Sequence, residues 1–299
     1  MDGLEAWPAL PLAAWQDTYD TLHMWTQIVG KVRLKLTPHV NHWWEVPLYL
    51  TSRGLTTTPI PYAGGTFDAT FDFFDHVLML QTSGGRTETI ALRPVSVADF
   101  YREVMAALRR LGIDVRISTM PQEFDNPIPF DKDTQHASYD GEYAHRCWRI
   151  LLGADEILKQ FRGRFIGKAS PVHLFWGGFD LAVTRFSGRR NTALAATADK
   201  VTRDAYSHEV SSAGFWPGSG SLKEPAFYSY AAPEPEGFKD ARIPAPAYYD
   251  PKEFNMFFLP YDAVRAARDP RAMVLEFLQS TYEAAANLGK WDRENLEYR

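Results

Sequence analysis

One cysteine stands in 299 residues. Cys147 can form no internal disulfide and rules out a Cys-rich zinc site. The start Met1-Asp2-Gly3-Leu4 has neither a basic beginning nor an apolar run of signal-peptide length, and the two absences together point to a reducing, cytoplasmic compartment. Long apolar runs are also missing. Those present, such as Val77 to Leu80, are strand-sized and far short of the roughly 20 residues needed to cross a bilayer, so no membrane partner is expected. Positive charge is in deficit, with 32 Lys and Arg against 37 Asp and Glu and a formal net charge of −5. Without a basic block the chain cannot neutralise phosphates as a general nucleic-acid binder does. No GxxxxGK[ST] loop, no GxGxxG after a strand and, among the eight histidines, no H-E-x-x-H pair is present. No cofactor and no metal are therefore implied, and the expected partner is a small polar or anionic molecule.

What the chain does have is an ordinary globular composition, 45% hydrophobic and 14% aromatic, and an internal similarity. At a constant offset of 133 residues, Trp15, Gly30, Trp43 and Thr51 meet Trp148, Gly163, Trp176 and Thr184. Two such long units exclude a solenoid, which needs about three or more short repeats. They predict an α+β fold of two repeat-related halves, each an antiparallel sheet flanked by an opening and a closing helix.

Each half opens on apolar residues at three- and four-residue spacing, Trp15 to Val29 and Cys147 to Phe161, with Gly30 and Gly163 where a helix stop belongs. The alternation Lys31-Val32-Arg33-Leu34-Lys35-Leu36 predicts a half-buried strand. Further strands are expected at Trp43 to Thr51, Phe67 to Phe73, His76 to Gln81 and Thr87 to Leu92, with a turn at Ser83-Gly84-Gly85. Ser96 with Asp99 caps a closing helix to Leu111, and Asp269-Pro270 opens its counterpart, which Gly289 ends. Met120 to Asp140, rich in proline, reads as the connection, which divides the chain into 1–130 and 131–299. About 33 extra residues in the second half form an insert near 190–220, the expected seat of function because long irregular segments in compact domains are usually functional or disordered.

The strings His42-Trp43-Trp44-Glu45-Val46-Pro47, His173-Leu174-Phe175-Trp176-Gly177-Gly178-Phe179-Asp180 and Ser207-His208-Glu209-Val210-Ser211-Ser212-Ala213-Gly214-Phe215-Trp216 resemble those of a bacterial domain-of-unknown-function family, along nearly the whole chain. The resemblance implies a bacterial, cytoplasmic protein. It assigns no activity and no catalytic residue, so function has to be argued from the residues.

Strand alternation sorts the repeated tryptophan segment into two faces. Trp43, Glu45 and Tyr49, with Trp176 and Asp180, make the more polar one, where indoles can stack on a flat or sugar-like ligand while the carboxylates accept hydrogen bonds. Arg185 and Arg189 beside a Ser-Gly turn offer forked donors for a carboxylate or phosphate. Trp216 would anchor the insert over this face. A small-molecule cleft lined by these aromatics and arginines is the leading expectation. The alternatives are an acid/base enzyme using His208 with Glu209 or Asp180, and a protein-interaction module with an exposed aromatic patch.

Overall fold

In the computed structural model, which describes residues 7–298, the chain is α+β, with two antiparallel sheets of six strands each. The first half runs α1 (Leu12–Leu36), a 3-10 turn (Asn41–Trp43), β1 (Tyr49–Leu50), β2 (Gly54–Thr56), β3 (Ile60–Tyr62), β4 (Gly65–Asp72), β5 (Val77–Thr82), β6 (Thr87–Ala91) and α2 (Val97–Arg110). The second runs α3 (Gly141–Gly163), β7 (His173–Phe175), β8 (Asp180–Arg190), α4 (Lys200–Ala205), β9 (His208–Trp216), β10 (Ala226–Ala232), β11 (Tyr248–Asp250), β12 (Met256–Pro260), α5 (Tyr261–Ala266), α6 (Pro270–Leu288) and α7 (Arg293–Leu296). Spatial order is β1-β2-β4-β5-β6 with β3 on β4 in the first sheet, and β11-β12-β10-β9-β8-β7 in the second. The sheets meet where Leu48 and Leu174 exchange both backbone hydrogen bonds at 2.8 Å.

Local chemistry accounts for the helix ends. Ser96 Oγ accepts from Asp99 N at 3.1 Å and donates to the Asp99 carboxylate at 2.6 Å, starting α2. Asp269 accepts from Ala272 N at 2.9 Å, with Pro270 in the first position of α6, where its missing N–H costs nothing. In the second sheet the odd residues of β8 and β9 face α3 and α6 and carry the core through Leu181, Val183, Ala213 and Phe215.

Three expectations are corrected. Lys31–Leu36 is the last part of α1 and not a strand. Its polar residues at 31 and 33 are buried while Leu34 is exposed: Lys31 donates to the Met120 carbonyl and lies over the Phe130 ring, and Arg33 donates to the Glu45 carbonyl. With lysine and arginine satisfied internally, polar–apolar alternation no longer reports a solvent face. Trp43 to Thr51 is not one strand either. Trp43 closes a 3-10 turn with φ of 60° and Trp176 lies in the turn after β7, so neither indole sits on a strand face. Finally, the part of the insert that ends at Trp216 does not lie over the tryptophan face: it supplies β9, hydrogen-bonded between β8 and β10, because Ser211-Ser212-Ala213-Gly214 is small enough for the middle of a sheet.

Candidate functional site

The even-numbered residues of β8 and β9 and the tyrosines of β10 face away from the helices. They form one wall of a cavity of about 1070 Å³. Asp180, Ala182, Thr184 and Phe186 come from β8, Val210, Ser212 and Trp216 from β9, and Tyr228 and Tyr230 from β10. The opposite wall is assembled from distant segments: the end of α1 with Lys31 and Lys35, the 3-10 turn with His42 and Trp43 and its following residue Trp44, the turn Trp176-Gly177-Gly178, the connector with Arg116 and Glu123, and α4 with Val201 and, past its last residue, Tyr206.

Buried side chains of α1 fix that wall. His23 points Nε2 at the carbonyls of Trp176 and Gly177, 3.0 and 2.7 Å away, and burial lowers its pKa to about 4, which keeps the ring neutral. Gln27 donates to the Gln122 carbonyl and accepts from the Gln122 amide, both at 2.8 Å, tying the connector to the helix one residue before Glu123. Trp176 Nε1 donates to the Val46 carbonyl at 2.8 Å. On the far side, Trp43 Nε1 donates to the Val201 carbonyl at 3.2 Å and His42 Nδ1 lies 3.1 Å from the Asp204 carbonyl, which hold α4 against the 3-10 turn.

The polar corner of the cavity is carved by glycines. A Cβ on Gly177 would lie 2.6 Å from Glu123 Oε1, and one on Gly178 would lie 3.1 Å from Asp180 Oδ1 and 3.3 Å from Glu123 Oε2. Only bare backbone lets both carboxylates occupy this space. A Cβ on Gly214 would come within 2.6 Å of the Tyr228 hydroxyl, so glycine in β9 also opens the path by which that hydroxyl reaches Asp180 and donates to its Oδ2 at 2.5 Å. Desolvation raises the Asp180 pKa to about 7; the Tyr228 hydrogen bond opposes the rise and the charge of Glu123 adds to it. Desolvation also raises the Glu123 pKa. Two hydroxyl pairs, Thr184 with Ser212 and Tyr206 with Tyr230, each at 2.9 Å, extend the polar surface along the sheet.

Of the residues expected from the sequence, Trp43, Trp176, Asp180 and Trp216 share this cavity. The others lie elsewhere. Glu45 is buried beside the 3-10 turn, accepting from His39 Nδ1 at 2.8 Å and the Val40 amide at 3.1 Å. Tyr49 lies under the Arg33 guanidinium. Arg185, 1% exposed, faces the helices: its guanidinium carbon is 3.5 Å from the Phe161 ring centre and 4.2 Å from that of Tyr282. Arg189 pairs with Glu209 at 2.6 Å and donates to the carbonyls of Gly289 and Lys290. His208 pairs in register with Arg190 at the opposite end of β8 from Asp180, and it is seven residues along β9 from Phe215, the partner of Leu181, which puts it more than about 20 Å from Asp180 at roughly 3.3 Å per residue. That separation prevents His208 from working with Asp180, and Glu209 points to the other face of the sheet. Among the described residues no three metal-ligating side chains cluster, and no helix is long and apolar enough to cross a membrane.

Sequence reasoning missed Glu123, Tyr228 and Tyr230. The last two carry a readable signal, since Tyr228-Ser229-Tyr230 alternates with the core residue Phe227 in a strand. Glu123 carries none: it sits in the proline-rich connector with φ of 49°, and only tertiary hydrogen bonds turn it inward.

No curated protein and no solved structure matches the chain. A family model does match, over residues 7–298, and it carries no assigned activity. With nearly its whole length covered, the chain belongs to DUF5996, a family of unknown function.

Proposed function

We propose that the protein binds a small organic molecule in the cavity between the second sheet and α4. The observation that carries the reading is the cavity itself: about 1070 Å³, aromatic on several sides, with a few converging polar groups at Asp180, Glu123 and Tyr228, the usual composition of a ligand site. The aromatic side chains are recessed around this space and do not form a flat outer face, which favours a small ligand over a protein partner. A polar ligand fits the corner at Asp180. An anionic group would have to use Lys35 or Arg116 at the cavity wall, because Arg185 and Arg189 are engaged within the fold. A cytoplasmic setting agrees with the lone buried thiol of Cys147.

A second reading, acid/base catalysis, is favoured by one observation: Asp180, with its pKa near neutrality, can hold or release a proton at the cavity surface, with Glu123 and Tyr228 beside it. It replaces His208 and Glu209 in that role.

Tryptophans on the cavity wall supply the assay. Ligand binding should change intrinsic fluorescence and raise the melting temperature, and Ala182→Phe, which fills the cavity from the middle of β8, should abolish both responses while remaining folded. Unchanged responses in that variant would place binding elsewhere.

A further inference from the structure

We propose that the molecule taken by this cavity is an organic cation, an amine or quaternary ammonium on an apolar body, seated with its charge between Glu123 and Asp180. The inference rests on the cavity being a ligand site and adds the ligand's chemical class.

The first support is an unbalanced charge. Glu123 and Asp180 converge on the space above Gly178, yet among the described residues neither forms an ion pair. Asp180 receives one neutral donor, the Tyr228 hydroxyl. The nearby bases are committed to other partners: Lys31 to the Met120 carbonyl and the Phe130 ring, Arg33 to the Glu45 carbonyl, Lys168 to His42 Nε2 at 2.7 Å. Lys35 and Arg116, the other cations on the wall, are exposed. Asp180, withdrawn from bulk water with no counter-charge, is costly for the fold, Glu123 brings a second negative charge from the exposed rim, and a ligand cation between them restores the balance.

The second support is independent of the acids. Trp43, Trp44, Trp176, Trp216, Tyr228 and Tyr230 surround the same volume. Aromatic rings attract a cation through the negative face of the π-system, most strongly where water is excluded, and such enclosures are used to recognise quaternary ammonium groups. A neutral polyol would use the carboxylates as acceptors but would gain nothing from ring electrostatics. An anion would face repulsion from both acids.

Binding should also be linked to protons. The titratable groups facing Asp180 are Glu123 from the connector, Tyr228 from β10, and Tyr19, Tyr206 and Tyr230 behind them. With its pKa near 7, Asp180 is partly protonated in the free protein, so a cation must displace that proton.

The test is calorimetric titration with matched probes: amines, their trimethylammonium derivatives, and the isosteric alcohols and carboxylates, on aliphatic, phenyl and bicyclic bodies. The expected result is cation affinity at least tenfold above that of the matched alcohol. It should weaken by about thirtyfold between pH 8 and pH 5.5, with proton release at pH 7 seen as a dependence of the heat on the buffer. Glu123→Gln, at an exposed connector position, should remove most of the preference without unfolding the protein, and Tyr228→Phe should leave it in place. Alcohols or carboxylates binding as tightly as amines would overturn the cation inference while leaving the cavity as a ligand site. Failure of every probe to bind would overturn both.

Discussion

Gly30 is the position at which two rules of thumb disagree most sharply. It lies inside α1, where replacing glycine by alanine ordinarily stabilises a helix by about 0.8–1 kcal/mol. Here a Cβ would sit 2.3 Å from both Cδ1 and Nε1 of Trp176, a buried indole that donates to the Val46 carbonyl. The ring has to move. Overpacking of this kind costs about 1–3 kcal/mol, and losing the bond to a buried carbonyl adds about 1–3 kcal/mol. Gly30→Ala should therefore destabilise the protein by a net amount of about 2–4 kcal/mol, lowering the melting temperature by roughly 3–6 °C. The control is its counterpart in the second half, Gly163, where nothing lies within 4 Å of an added Cβ. Gly163→Ala should change stability by no more than about 0.5 kcal/mol. Urea unfolding followed by far-UV circular dichroism measures both variants. If Gly30→Ala is as stable as the parent, the notch is not what glycine provides there and the account of the cavity wall at Trp176 loses its basis.

Other consequences follow from the same geometry. Arg185→Ala should cost about 2–4 kcal/mol, from lost ring stacking and a lost charge-assisted hydrogen bond to the Phe161 carbonyl, and should leave ligand affinity unchanged once the folded fraction is corrected for. Asp180 has a folded-state pKa of about 7, above its unfolded value, so the native state holds a proton that the unfolded state gives up; its contribution is fully present below the ordinary carboxylate range and is lost as pH rises through 7. Asp180→Asn should accordingly gain melting temperature relative to the parent between pH 5 and pH 8, and a pH-independent difference would contradict this. His39 stands between Glu45 Oε1 at 2.8 Å and Asp204 Oδ2 at 3.3 Å. His39→Ala should speed hydrogen exchange in α4 and expose residues 191–206 to protease, with little effect on global stability because the pair is half exposed.

The fold was largely legible in the chain. Periodicity, capping residues and turn glycines are local quantities, so α2, α6 and the strands β4 to β6 lie where the pattern puts them, and an α+β architecture with two sheets follows. Pattern fails where burial is two-sided. Lys31 and Arg33 lie in a helix packed on nearly all sides, and β9, flanked by strands on both edges, has the small-residue composition that also marks a loop. The site was half legible. Trp176, Asp180 and Trp216 announce themselves as aromatics and an acid in or beside strands, but which face of β8 is wet depends on which helices cover the other, and this sends Asp180 into the cavity and Arg185 into the core. Glu123 was illegible, because its position depends on Gln27 holding the next backbone unit more than ninety residues away and on two glycines that leave room for its carboxylate. Sequence determines which segments are helix or strand because those choices are made over a few residues. Only the tertiary structure brings Glu123, Asp180 and Tyr228 to one corner, since that depends on contacts between elements the chain keeps far apart.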